Sequence, residues 1–236
     1  PTGTQYSKES MLALGEIARK HDLFLLSDEV YREFCYTDEP HFSAMNIPGL
    51  EQNVILIDSV SKRYNLCGAR IGCIISHNKD VMAAAMKFAQ ARLCPPFLVQ
   101  IASIGALDTP DSYFDAVKEE YIKRRDFMIE GLNKIEGVYT PLPMGAFYTI
   151  AELPVDDTEK FAKWMLENFR IDNETTMVTP AASFYKTPGM GKNHARIAYV
   201  LEVEELKKAL HILHRKKLFV LSYRTYSLYR TCLRFQ

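Results

Sequence analysis

Two short apolar runs, each closed by acidic and hydroxyl residues, constrain this chain more than anything else in it. Leu23-Phe24-Leu25-Leu26 ends at Ser27-Asp28, and Val54-Ile55-Leu56-Ile57 ends at Asp58-Ser59. Both runs are strand-length and offer apolar side chains to both faces, as in a parallel sheet covered by helices. Ahead of the first, Ser7 can cap a helix through about residue 20, with Met11, Leu14, Ile17 and Ala18 on one face. His21-Asp22 ends it. Residues 71–75 are a third strand candidate. Helix, strand, polar loop, strand is the grammar of an α/β domain.

Helical patterns follow over residues 80–91, 97–107 and 110–135. In the last, Phe114, Val117, Tyr121, Met128, Leu132 and Ile135 recur at steps of three, four or seven. A helix of that length often joins two domains. Beyond Gly137 the pattern changes to α+β, with strands expected at 146–150 and 195–200 and helices at 158–169 and 202–214. The expected organisation is a large-domain portion over 1–125, a small domain over 126–214 and an atypical tail over 215–236. No internal repeat is visible.

Composition narrows the function classes. The chain has 236 residues, 47% hydrophobic and 25% charged, the balance of an ordinary globular protein. No run approaches the roughly 18 to 20 apolar residues needed to span a bilayer, and no secretory signal is visible. Equal numbers of basic and acidic residues, 29 each, remove a global electrostatic case for nucleic acid. The balance hides an asymmetry, since residues 215–236 hold six Lys or Arg, five aromatics and no acid. That tail reads as solvated or loosely docked, with lipid or nucleic-acid binding and a shifted reading frame as the alternatives. Cys35, Cys67, Cys73, Cys94 and Cys232 form no C-x-x-C pair, which points to free thiols in a reducing, cytoplasmic setting and to no metal site.

Three side chains stand out, two of them where an open α/β sheet binds ligands, outside the carboxyl ends of its strands, and the third at the start of the next strand candidate. Asp28 follows the first run, Lys62 lies just past the second, and Arg70 stands among glycines in Gly68-Ala69-Arg70-Ile71-Gly72. Each alone has an ordinary explanation: a turn cap, a solvated loop lysine, a surface ion pair. Glycines around Arg70 would also let backbone approach a ligand closely.

Taken together, the chain resembles the fold-type I, class I/II pyridoxal-phosphate-dependent aminotransferases of the aspartate aminotransferase family. The match is carried in order by Pro1-Thr2-Gly3-Thr4, Ser27-Asp28-Glu29-Val30-Tyr31, Ser59-Val60-Ser61-Lys62-Arg63, Gly68-Ala69-Arg70-Ile71-Gly72, Met144-Gly145-Ala146-Phe147-Tyr148 and Ala195-Arg196-Ile197-Ala198-Tyr199. It extends from residue 1 to about residue 213.

The resemblance implies a fold: part of the large domain, a mainly parallel sheet with helices, followed by the α+β small domain. It also implies pyridoxal 5'-phosphate as cofactor, amino-acid and 2-oxo-acid substrates, and a homodimer in the full-length protein. Lys62 would form the covalent link to the cofactor aldehyde and move the substrate proton, which burial near cationic groups favours by making the neutral amine accessible. Asp28 would hold a proton on the pyridine nitrogen, and Tyr31 would hydrogen-bond the ring oxygen. Ser59 and Arg70 would hold the phosphate, with Ser61 a weaker candidate. Arg196 would bind the substrate α-carboxylate with its planar fork, the alternative being a structural ion pair. His194 beside it reads as structural. Aspartate is the donor expected first, with aromatic and other amino acids left open.

Two rival readings remain. Ser59-x-x-Lys62 also fits the Ser-x-x-Lys of penicillin-recognising hydrolases, but no Ser-Asp-Asn occurs and Lys186-Thr187-Pro188-Gly189 interrupts the Lys-Thr-Gly element with proline. The other is a non-catalytic fragment that only folds or dimerises. The family's Asn-Pro-x-Gly motif starts here at Pro1, so the resemblance implies an incomplete chain. The expected missing parts are the glycine-containing phosphate loop, the aromatic that stacks on the cofactor and the partner-subunit tyrosine.

Overall fold

The computed structural model describes residues 2–214. The basic segment 215–236, with Cys232, lies outside the described residues. The chain divides into two compact units, one built from Thr4–Lys118 with Met144–Ala146 and the other from Thr2 and Gly3, Glu119–Pro143 and the described chain from Phe147 onward. No helix among the described residues is long and apolar enough to cross a membrane.

The first unit opens with α1 (Lys8–Lys20), whose N-cap Ser7 accepts a hydrogen bond from the Ser10 amide at 3.2 Å. Its buried stripe is Met11, Gly15 and Ala18, one residue every three or four. Leu14 and Ile17, expected on that face, are exposed. The stripe packs into a core with Ala44, Ile47, Leu50 and Val54.

Strand β1 (Leu25–Asp28) pairs in parallel with β2 (Val54–Ser59), in the register Leu25↔Val54 to Asp28↔Ile57. β1 starts later than the sequence suggests. The Leu23 amide donates to Ala18 and its carbonyl accepts from the Asn53 side chain, so the strand begins where the Leu25 amide meets the Asn53 carbonyl. Nor is it covered on both faces, because Leu26 is 62% exposed. In this unit's sheet β2 alternates with a fully buried face, through Val54, Leu56 and Asp58.

β2 leads into the single turn α2 (Val60–Arg63), and β3 (Gly72–Ile75) then pairs antiparallel with β2. The three-stranded sheet has the order β1-β2-β3. Helices α3 (Lys79–Arg92) and α4 (Phe97–Gly105) follow, and neither buries a residue. α5 (Asp111–Asn133) contributes residues to both units and buries Arg125, Met128, Ile129 and Leu132 in its second half.

The second unit holds β4 (Tyr148–Glu152), α6 (Thr158–Asn168), β5 (Thr179–Pro180), β6 (His194–Ala198) and α7 (Val203–His214). Its antiparallel sheet has the order β4-β6-β5. α6 starts at Asp157, whose carboxylate caps the Glu159 and Lys160 amides at 2.9 and 3.1 Å. The helix buries Phe161, Trp164 and Met165 at the spacing the sequence indicates. Each such large side chain stabilises the fold by about 1.5–3 kcal/mol.

The strand expected from residue 146 begins instead at Tyr148. Ala146 has φ 56°, which breaks an extended run. Residues 144–146 pair locally with 34–36: the Tyr36 amide donates to Met144 at 2.8 Å and the Ala146 amide to Phe34 at 2.9 Å.

Candidate active site

The parallel pairing of β1 and β2 sets the frame. Asp28 ends β1 opposite Ile57, so the chain leaves both strands on the same edge of the sheet. Asp28 is exposed, and its carboxylate accepts from the Val30 amide at 3.3 Å. Tyr31 and Lys62 come from the two loops that follow, and Lys62 Nζ lies 6.0 Å from the centroid of the Tyr31 ring. Three expected residues, Asp28, Tyr31 and Lys62, therefore stand on the two segments that leave this edge.

Ser59 ends β2 and caps α2. Its hydroxyl accepts from the Ser61 amide at 3.0 Å and donates to the Ile71 carbonyl at 2.9 Å. Arg70 lies on the loop returning to β3. Its backbone is left-handed, with φ 57° and ψ 40°, and its guanidinium Nη1 donates to the Cys67 carbonyl at 3.0 Å. A non-glycine residue held there costs roughly 1 kcal/mol. Gly72 is packed against protein, not open to a ligand: a Cβ there would sit 3.0 Å from the Asp58 carbonyl oxygen.

Two ionic arrangements that the sequence reading left out support these residues. Glu29, beside Asp28, is 3% exposed. Its carboxylate meets His41 Nε2 at 2.8 Å, the Ala44 amide at 2.9 Å, and the Ser27 and Ser43 hydroxyls at 3.0 Å each. Burial alone would raise its pKa, but His41, the Ala44 amide and Ser43 outweigh that and hold the carboxyl below its usual range. Asp58, buried at the end of β2, pairs with Arg63 at 2.8 Å and Arg32 at 3.4 Å, and accepts from the Ser59 amide at 2.7 Å. Glu33 completes the group, 3.1 Å from Arg63 and 3.5 Å from Arg32. Arg32 follows Tyr31 and Arg63 follows Lys62, so this group ties together the loops that carry both. The charge patterning held the signal for it, in the acids and arginine of Asp28-Glu29-Val30-Tyr31-Arg32-Glu33 and in Asp58 five residues before Arg63.

Glu29 provides a pH test of stability. Its folded pKa is lowered, so the contribution is complete above the unfolded carboxylate value of about 4.3 and is lost as pH falls through the lower folded value. Glu29→Ala, which leaves the Ala44 amide and three part-buried partners, His41, Ser27 and Ser43, without their acceptor, is expected to lose about 3 kcal/mol at pH 7. Urea midpoints at pH 7 and pH 3 check this: the gap between wild type and variant should narrow in acid. A gap that stays constant would show that the carboxylate charge contributes nothing.

In the second unit, Arg196 projects from β6, paired with Ile150 on one side and Thr179 on the other. It is half-buried, with Cζ 4.7 Å from the Tyr148 ring centroid and 5.2 Å from that of Phe184. Among the described residues its guanidinium makes no hydrogen bond or ion pair. His194, two residues earlier, has Nδ1 2.7 Å from the Tyr185 hydroxyl. Cys35, Cys67, Cys73 and Cys94 are free thiols, and burial raises the pKa values of Cys35 and Cys73.

Comparison with known proteins gives this geometry a context. Residues 1–213 match the family model for aminotransferase class I and II. The chain is 30% identical over 215 residues to an aspartate aminotransferase of Pyrococcus horikoshii, covering 89% of this chain and 52% of the relative. It is also 30% identical over 215 residues to an aspartate/prephenate aminotransferase of Thermus thermophilus, with the same coverages. The chain thus spans about half the length of the curated relatives it matches. Among solved structures, a Thermotoga maritima aspartate aminotransferase matches with a TM-score of 0.77 at 28% identity, over 91% of this chain and 53% of that one. A Pyrococcus horikoshii aromatic aminotransferase matches with a TM-score of 0.80 at 28% identity, over 95% of this chain and 58% of that one. These neighbours have the fold-type I architecture.

Proposed function

Because this chain belongs to the class I and II aminotransferases, we propose that it carries the central machinery of a pyridoxal-phosphate-dependent enzyme moving an amino group from an L-amino acid to a 2-oxo acid. The observation that carries this reading is the placement of Asp28 at the carboxyl end of one strand and of Lys62 just past the end of its parallel partner, with Tyr31 near Lys62. The donor set suits pyridoxal 5'-phosphate: an exposed carboxylate for a pyridinium, a primary amine for an aldehyde, a phenol for a ring hydroxyl, and a serine and an arginine for a phosphate.

Each side chain has a definite task in this proposal. Lys62 Nζ holds the cofactor and then takes the proton from the substrate α-carbon. The bound cofactor supplies a conjugated ring that accepts the electron pair this releases. Asp28 keeps a proton on the ring nitrogen, and the Tyr31 hydroxyl hydrogen-bonds the ring oxygen. Ser59 and Arg70 anchor the phosphate, the arginine by its planar fork. Arg196 binds the substrate α-carboxylate in plane and so orients the α C–H bond. The names of the relatives make aspartate the first donor to try, then aromatic amino acids. A cytoplasmic homodimer belongs to the same proposal.

Amino transfer from L-aspartate to 2-oxoglutarate by the intact protein, with pyridoxal phosphate added and omitted, tests the reading. Cofactor-dependent transfer from aspartate or an aromatic amino acid is expected. Absence of transfer from any amino donor by cofactor-loaded protein would sink it.

Arg70 separates binding from strain. Arg70→Gly relieves the left-handed backbone but loosens the unfolded chain, so stability is expected to stay within about 1 kcal/mol. Losing a charge-assisted phosphate contact is expected to weaken pyridoxal phosphate about tenfold or more. Thermal unfolding and cofactor titration of the same variant check both, and unchanged cofactor affinity would remove Arg70 from the site.

A second reading is favoured by two observations. α3 and α4 bury no residue, and the chain spans about half of its relatives. The 236 residues taken alone would then fold or associate without turnover.

A further inference from the structure

The surroundings of Arg196 say more than that an arginine is present. β4 and β6 are antiparallel, with Tyr148 opposite Ala198 and Ile150 opposite Arg196. Tyr148 is therefore the diagonal neighbour of Arg196 on the same face of the sheet, within reach of long side chains. Phe184 arrives from a separate segment, the short turn Ala182–Phe184. The two rings lie 4.7 and 5.2 Å from the guanidinium carbon.

The Phe184 turn is itself anchored to β6. The Ala181 amide donates to the His194 carbonyl at 2.9 Å, and the Tyr185 hydroxyl contacts His194 Nδ1 at 2.7 Å. Gly191, at φ 70°, lies against the Tyr185 ring, which a Cβ there would meet at 2.3 Å. His194 thus fixes the segment whose phenylalanine packs on an arginine of the same strand.

We propose that Tyr148 and Phe184 are positioning residues that hold the Arg196 guanidinium by ring contacts and turn its N–H edge toward a carboxylate. The proposal rests on the reading of Arg196 as the substrate-carboxylate residue. Guanidinium donors lie in the plane of the group, while aromatic rings attract the cation without using any of those donors. An ion pair would restrain the arginine too, but it would occupy the donors that the substrate needs. Ring contacts restrain it and leave them available for a two-pronged carboxylate.

Steady-state kinetics on the intact, cofactor-loaded protein tests this. Phe184→Ala is expected to raise KM for the amino acid about tenfold with kcat within about twofold, because the loosened arginine binds ground state and transition state equally less well. Phe184→Tyr restores the ring and is expected to restore KM. Tyr148→Leu should behave like Phe184→Ala. Phe184 is 43% exposed, so its variant supplies the test even where Tyr148→Leu does not fold. Mapping phenylglyoxal adducts gives a readout without turnover, with faster modification of Arg196 expected in Phe184→Ala. Arg196→Lys distinguishes the two levels. If it raises KM while Phe184→Ala leaves both KM and the modification rate unchanged, the positioning role is overturned and the carboxylate reading stands. If Arg196→Lys leaves KM unchanged, the carboxylate reading fails and the positioning role fails with it.

Discussion

Lys62→Ala in the intact protein is expected to lower amino transfer by about 10³-fold or more, since one side chain both holds the cofactor and moves the substrate proton. Asp28→Ala is expected to cost about 10²-fold or more, by removing the charge that keeps the ring nitrogen protonated. The structure also dictates the proper control. Glu29 adjoins Asp28 in sequence but is a buried carboxylate held by His41, Ser27, Ser43 and the Ala44 amide, so its loss acts on stability. Activity must therefore be compared at temperatures where every variant is folded, as followed by circular dichroism. A Lys62→Ala protein that transfers amino groups within tenfold of wild type, or equal losses per folded molecule for Asp28 and Glu29 variants, would contradict the assignment.

The 236-residue chain expressed alone is expected to associate and to show negligible transamination. Phe97, Leu98 and Ile104 on α4 are 73%, 78% and 67% exposed, and Phe88 on α3 is 78% exposed. Large apolar side chains displayed over two consecutive helices form a surface that water disfavours and that self-association covers. Light scattering after size exclusion checks the size distribution, and amino-acid-dependent conversion of added pyridoxal phosphate checks turnover. Charged substitutions at Leu98 and Ile104 should reduce association. A sharp monomer peak with turnover typical of aminotransferases would show that this chain needs nothing further to act.

What the sequence made legible follows from local physics. Ser7 capping α1, β2 closing at Asp58-Ser59, and the Phe161-Trp164-Met165 stripe of α6 all depend on near neighbours in the chain. They could be read directly. Long-range choices could not. The buried stripe of α1 runs through Gly15, with Leu14 and Ile17 exposed, because Ile47 and Leu50 come close at Gly15. β1 starts at Leu25 because the polar groups of Leu23 are already taken by Ala18 and Asn53. In the candidate site, Asp28, Tyr31, Ser59, Lys62, Arg70 and Arg196 were singled out by motif and order. The residues that support them were not, since Glu29 and Asp58 owe their roles to burial and Phe184 reaches Arg196 from a turn twelve residues away. A sequence pattern names the groups that touch a ligand more readily than the groups that hold them in place.

Borohydride reduction in the presence of pyridoxal phosphate, followed by peptide mass mapping, tests the central assignment most directly, because it traps the covalent link whether or not turnover follows. A pyridoxyl label is expected on the peptide containing Lys62, lost in Lys62→Ala and competed by excess amino acid. A label concentrated on another lysine, or none in protein that is active, would show that Lys62 is not the residue that holds the cofactor.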